Sequence, residues 1–249
     1  MYLIDVQGTL IDDNDKKPIS GAIEFIDNLN LHNIPYVVVT NNTKKRSEEF
    51  YDFLKKLGFN IAENSYLDPF MVLKNSLDVS RVCCFGPKEF IEVIESLGYE
   101  NSIENPDAIL VTSSKDFDSE DYSKMIEMVM NGAKLIGMHA TSTYAKDGRR
   151  YAGVGAIMKM ISYATGSSYK IIGKPSHAFY EEALRFLEVE SFDKIEMISD
   201  DAVGDLVGIK KLGAKTTLVL SGKCKNENEV LHVKDSLDRV VTSIGHLNG

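Results

Sequence analysis

Residues 2–10 read YLIDVQGTL, and the fold follows from how this stretch is read. A short apolar run carries a carboxylate, Asp5, near its end and passes at once into Gly8-Thr9. In an open parallel sheet, ligands bind beyond the carboxyl ends of the strands, so Asp5 is placed in the functional crevice. Gly8 permits a tight turn whose backbone N–H groups can cradle an anion. Taken alone, Asp5 is equally compatible with a turn cap, because Asp favours turns through local hydrogen bonds. Gln7 is the odd member, since its side chain can neither give up nor take up a proton.

The same kind of run recurs along the chain. YVVVT (36–40), RVCCF (81–85), AILVTS (108–113), KLIGM (134–138), KIIG (170–173), KIEMIS (194–199) and KTTLVL (215–220) are short and apolar enough to be strands buried on both faces. Between most of them lie segments of helical spacing, such as Ala22, Ile23, Ile26, Leu29 and Tyr180, Ala183, Leu184, Leu187. This alternation predicts an α/β fold with parallel sheets. The chemically loaded strand ends fall at Asp5, Thr40, Lys174 and Asp200. About 95 residues near 77–170 then have the size of a small inserted domain.

Composition narrows the function classes. The 249 residues are 43% hydrophobic and 26% charged, the balance of an ordinary folded protein. A formal net charge of −9 repels polyanions, which argues against nucleic acid as a partner. Three cysteines are too few for a disulfide framework, and Cys83-Cys84 inside RVCCF reads as buried strand interior. No apolar run approaches the roughly 18–20 residues of a membrane span. The chain opens into a strand rather than a leader, and the expected location is the cytoplasm.

Three further stretches carry chemistry. In VVVTNNTKKR, Thr40 ends an apolar strand and Asn41, Asn42 and Thr43 precede a helix expected near Lys44. These hydroxyls and amides can hold phosphate oxygens or cap the helix, with Thr40 the expected contact and Thr43 the expected cap. In KIIGKPSHAF, Lys174 sits between strand and helix, where a fixed ammonium can neutralise a phosphoryl group, although a solvated lysine is the commoner state. In ISDDAVGDL, Asp200, Asp201 and Asp205 crowd one strand end. A hard cation such as Mg²⁺ would relieve their repulsion, and a solvated acidic helix start is the alternative.

Together the four motifs are more specific than any one of them. DVQGTL, VVVTNNT, AGVGAIMKMISYATGSSYKIIGKPS and ISDDAVGDLVGIKKLGA resemble, in order, the motifs of the haloacid dehalogenase superfamily, and within it the NagD-type and para-nitrophenylphosphate phosphatases. The resemblance implies a Rossmann-like core at 1–76 and 171–249 with an inserted α/β cap domain at 77–170. It implies a cytoplasmic, Mg²⁺-dependent phosphatase acting on a small phosphorylated substrate through an aspartyl-phosphate. Asp5 is then the nucleophile, Thr40, Asn41 and Lys174 hold the phosphoryl group, and Lys174 also orients Asp5. Mg²⁺ is bound by Asp5, the backbone carbonyl of Gln7 and Asp200, with Asp205 supporting. A homodimer through the cap is a family-level expectation.

Two departures stand out. Family phosphatases usually carry Asp where this chain has Gln7, and that Asp protonates the leaving oxygen and then activates water. Its loss costs about 10²- to 10⁴-fold, less when the leaving group is already acidic. Related caps often carry Asn-Pro-Asp where this chain has His139-Ala140-Thr141, so His139 and Thr141 are candidate specificity residues, with an ordinary solvated loop histidine as the plainer reading. Two rival functions follow: a phosphate-binding or regulatory protein with negligible catalysis, and a dehalogenase-type hydrolase, which has no need of the Asp200–Asp205 metal cluster.

Overall fold

A computed structural model of the chain describes residues 1–146 and 149–248. In chain order the strands are β1 (Tyr2–Asp5), β2 (Tyr36–Val39), β3 (Tyr66–Leu67), β4 (Arg81–Phe85), β5 (Glu100–Asn101), β6 (Ala108–Val111), β7 (Lys134–Gly137), β8 (Thr143–Lys146), β9 (Arg149–Ala152), β10 (Tyr169–Ile171), β11 (Glu196–Ser199), β12 (Lys215–Val219) and β13 (Arg239–Val241). The helices are α1 (Ala22–Leu31), α2 (Ser47–Lys56), α3 (Pro69–Ser76), α4 (Lys88–Ser96), α5 (Ser119–Met130), α6 (Val154–Thr165), α7 (His177–Phe186) and α8 (Val207–Lys211). All eight strands expected from apolar runs are present. The strands without a sequence signal are the very short β3 and β5, the terminal β13 and the polar pair β8 and β9. Among the described residues no helix is long and apolar enough to cross a membrane.

The chain divides into two compact units. The first comprises 1–40, 48–68 and 179–249, and its sheet runs β13-β12-β11-β1-β2-β3 with every pair parallel. Leu3, Ile4, Val37, Val38, Met197 and Ile198 are fully buried in it, each contributing about 1.5–3 kcal/mol of transfer free energy. α1 buries Ala22, Phe25, Ile26 and Leu29, the spacing expected of one helical face. Phe25 meets the Tyr2 ring edge-on at 5.9 Å.

The second unit comprises 41–47 and 69–178 and has its own parallel sheet, β10-β7-β6-β4-β5. Helices α5 and α6 pack Met125, Val129, Ile157 and Ile161 with Ile109, Val111 and Leu135 of the strands. α5 starts with a capping box in which Asp118 accepts from the N–H groups of Glu120 and Asp121 and the Asp121 carboxylate accepts from the N–H of Asp118, a device worth about 1 kcal/mol. β8 and β9 form a separate antiparallel pair with Tyr144 and Tyr151 stacked at 5.5 Å.

This unit is wider than the expected 77–170. β10, the KIIG strand assigned to the core, pairs with β7 in the second sheet, and α3 places Phe70 against Phe90 at 6.2 Å. Cys83 and Cys84 are interior, and burial pushes their thiols up to about 11 and about 12.

Candidate active site

In the first unit, β11, β1 and β2 are neighbours, and the polar residues that follow them collect at one edge. Asp5 ends β1 in register with Val39 of β2, while Ile4 pairs with Ile198 of β11. Thr40 and Asp200 therefore stand just beyond the strands that flank Asp5. Asp5, Asp200 and Asp205 are each about 5% exposed and Thr40 is fully buried.

Two glycine turns seat the Asp200 carboxylate. Gly8 has φ +77°, and a Cβ built on it would lie 2.2 Å from Asp200 Oδ2; one on Gly222 would lie 2.0 Å from the same oxygen. Only residues without a side chain fit there. The Lys223 N–H donates to Asp200 Oδ2, and the Ser221 hydroxyl donates to the Gly8 carbonyl at 2.6 Å. Burial first, and then the charge of Asp5, raise the Asp200 carboxyl well above the usual carboxylate range, against the Lys223 N–H. Two buried carboxylates crowded in this way offer oxygen atoms of the kind a hard divalent cation takes.

The other acidic side chains are engaged nearby. Asp201 accepts from the Gly204 N–H at 2.8 Å and from the Lys223 ammonium at 2.6 Å. Asp205 Oδ2 accepts the Ser199 hydroxyl at 2.7 Å. Burial works against the Lys223 charge, but Asp201, with Asp200 and Asp205 behind it, raises that ammonium above its ordinary value. Among the described residues no three His, Cys, Asp or Glu side chains converge as a metal cluster. A cation at this edge would thus rest on Asp5 and Asp200 with backbone and water oxygens, a set that suits Mg²⁺, and Asp205 would brace it through the β11 end.

Gln7 has a definite partner: the Thr40 hydroxyl donates to its Oε1 at 3.0 Å. The carboxamide is therefore docked on the residue expected to bind phosphate. The hydroxyl of Thr9 is buried without a hydrogen-bond partner among the described residues.

Asn41, Lys174, His139 and Thr141 belong to the second unit. The carboxamide of Asn41, the residue expected to hold a phosphoryl oxygen, bonds the Lys174 backbone. Its Oδ1 accepts from the Lys174 N–H at 2.9 Å and its Nδ2 donates to the Lys174 carbonyl at 3.4 Å. A Cβ on Gly173 would come within 2.6 Å of that Oδ1, so the approach requires glycine. Lys174 is 2% exposed. The expected cap also moves: α2 starts at Ser47, Asn42 accepts from the N–H groups of Lys44 and Lys45, and Thr43 bonds the Thr112 hydroxyl at 2.7 Å.

His139 is buried rather than solvated. Its Nε2 lies 3.4 Å from the Ser113 hydroxyl, and its Nδ1 has no hydrogen-bond partner among the described residues. Burial, and then the positive charges of Lys44 and Lys174, push the imidazole down to about 4. Thr141 is half-buried, and its carbonyl accepts from the Gly155 N–H at 3.0 Å.

The sequence reading passed over Ser199, Gly222 and Lys223. Ser221-Gly222-Lys223 follows β12 after one residue, Leu220, so the strand-end rule that marked Asp5 and Asp200 would also have marked it.

Comparison with known proteins agrees with this architecture. Residues 2–100 match the family described as haloacid dehalogenase-like hydrolase, and residues 171–247 match one described as HAD-hydrolase-like; together they span more than half of the chain. The chain is 27% identical over 229 residues to haloacid dehalogenase-like hydrolase domain-containing protein 2 of Bos taurus, covering 91% of this chain and 86% of that protein. It is 26% identical over 251 aligned positions to the 5'-nucleotidase YutF of Bacillus subtilis, covering 99% and 95%. Its fold superposes on a p-nitrophenyl phosphatase from Archaeoglobus fulgidus with TM-score 0.84 at 22% identity, covering 99% and 97%.

Proposed function

The chain belongs to the haloacid dehalogenase-like hydrolases, and from that premise we propose that it is a Mg²⁺-dependent phosphatase of small phosphorylated metabolites that works through an aspartyl-phosphate. The observation that carries this is the pair of buried carboxylates, Asp5 and Asp200, at adjoining strand ends, with Asp200 raised by burial and then by the charge of Asp5. The names of similar proteins, a 5'-nucleotidase and a p-nitrophenyl phosphatase, support the same class.

In this reading Asp5 attacks phosphorus, a displacement in which the protein contributes chiefly position and charge. The Thr40 hydroxyl leaves Gln7 to hold a phosphoryl oxygen, and Lys174, fixed at its backbone by Asn41, neutralises phosphoryl charge. Bound Mg²⁺, held by Asp5, Asp200 and the Gln7 carbonyl, would supply charge neutralisation at the phosphoryl oxygens. Lys223 and Ser199 keep Asp201 and Asp205 in place. The second unit serves as the cap, with His139 and Thr141 bearing on substrate choice. The proposal includes homodimerisation through the cap and a cytoplasmic location.

Gln7 sets the limit on rate. With no proton to give, it favours aryl and acyl phosphates, whose leaving groups depart as stable anions, over alkyl phosphates. The Gln7–Thr40 bond also favours a second reading, a phosphate-binding or regulatory protein in which turnover is negligible. A dehalogenase would leave the Asp5–Asp200 cation site without a use. The test is a panel of p-nitrophenyl phosphate, acetyl phosphate, an alkyl phosphate and a 2-haloacid, with and without Mg²⁺, on the native chain and Asp5→Asn. Metal-dependent phosphate release lost in Asp5→Asn is expected; phosphate binding without release from any ester would leave the binding protein.

A further inference from the structure

Ser199 of β11 pairs with Leu218 of β12, so the chain past β12 continues beside the β11 end, where Asp200 and Asp201 stand. The stretch Leu220-Ser221-Gly222-Lys223 thereby brings a lysine to the acidic strand ends. Lys223 engages the two carboxylates differently. Its backbone N–H donates to Asp200 Oδ2, and its ammonium donates to Asp201 Oδ2 at 2.6 Å.

The difference is one of charge. An N–H group brings no net charge to Asp200, whereas the ammonium offsets the charge of Asp201. The other Asp201 oxygen, Oδ1, accepts from the Gly204 N–H at 2.8 Å, and a Cβ on Gly204 would lie 2.3 Å from Oδ2, so this carboxylate is closely seated. The same loop is tied to the backbone past β1, because the Ser221 hydroxyl donates to the Gly8 carbonyl at 2.6 Å. A divalent cation drawing on Asp201 would have to take Oδ2 from the ammonium. That breaks a charge-assisted bond and leaves a like charge beside the cation.

Resting on the Mg²⁺ part of the phosphatase reading, we infer that Lys223 is a resident counter-cation: it withholds Asp201 from Mg²⁺ and keeps Mg²⁺ affinity below what Asp5, Asp200 and Asp201 together would give. The lysine is a positioning residue, acting on the metal through Asp201. Its side chain is 40% exposed, so an ammonium deprived of Asp201 moves out into water, where it is screened.

Calorimetric titration of the whole chain with Mg²⁺ tests this. Lys223→Met keeps an apolar stem and removes the charge; it should bind Mg²⁺ about tenfold more tightly, the effect of one unit charge near a divalent cation at a wet edge. Lys223→Arg should match the native chain. Asp201→Asn should change the affinity little, whereas Asp200→Asn should abolish binding. Adding Asp201→Asn to Lys223→Met should return the affinity to near the native value. Thermal melts give a second readout: without Mg²⁺, Lys223→Met should unfold at a lower temperature than the native chain, and Mg²⁺ should raise that temperature by more. Equal Mg²⁺ affinity in the native chain and Lys223→Met would overturn the inference and leave the metal reading intact. So would a loss in Asp201→Asn as large as that in Asp200→Asn, or a gain that persists in the double variant. No Mg²⁺ binding by either the native chain or Lys223→Met would overturn the metal reading as well.

Discussion

The Thr40 hydroxyl donates to Oε1 of Gln7 at 3.0 Å, joining the residue after β2 to the second residue past the nucleophile candidate. The bond makes Gln7 an ordered part of the site, so its effect can be read separately in each half of the reaction. Gln7→Asp should raise kcat/KM for an alkyl phosphate by about 10²-fold or more, because kcat/KM reports the step that needs the acid. The same ratio for p-nitrophenyl phosphate should change little. Steady-state kinetics on the two esters check this, and an unchanged alkyl ratio would remove Gln7 from leaving-group protonation.

Gly8→Ala meets two obstacles at once. The backbone at φ +77° costs a non-glycine residue about 1–2 kcal/mol, and the new Cβ would displace the Asp200 carboxylate. Thermal unfolding should fall by several degrees, and Mg²⁺ affinity measured by calorimetry should fall with it.

Asn41→Ala removes both hydrogen bonds to the Lys174 backbone. A stability loss of about 1–3 kcal/mol is expected, together with a lower kcat if Lys174 neutralises phosphoryl charge as proposed, because its backbone is no longer held. Denaturant melts and kinetics read the two effects independently. A loss of stability with kcat intact would show that Asn41 serves the fold alone.

His139 should make the chain sensitive to acid. Its folded pKa lies at about 4, below the ordinary 6.5, so the unfolded state binds the extra proton between these values. The contribution is fully present above pH 6.5 and is lost as pH falls toward about 4, on the order of 3 kcal/mol in all. His139→Gln should flatten the stability profile across that window, as followed by urea midpoints at stepped pH.

The parallel α/β plan was legible because each buried strand is a short apolar run, and the placing of Asp5, Thr40 and Asp200 at strand ends was legible because each ends or follows one. What the sequence did not show was division of labour among neighbouring polar groups. Asn41 and Asn42 look alike in VVVTNNT, yet one grips Lys174 and the other closes a turn on Lys45. Nothing local marks Ser199 as the partner of Asp205, since their spacing has meaning only once the turn at 202–206 brings them together. KIIG reads as a strand but gives no sign of its sheet, because parallel partners are chosen by long-range packing. The burial of His139, against the solvated-loop reading, was hidden for the same reason, being supplied by distant residues of the second unit.

The central claim is that Asp5 carries the phosphoryl group. Borohydride added during turnover of p-nitrophenyl phosphate reduces an aspartyl-phosphate to homoserine, which peptide mass spectrometry locates. Homoserine at position 5, dependent on Mg²⁺ and substrate, is the predicted result; unmodified Asp5 in a sample that is releasing p-nitrophenol would contradict it.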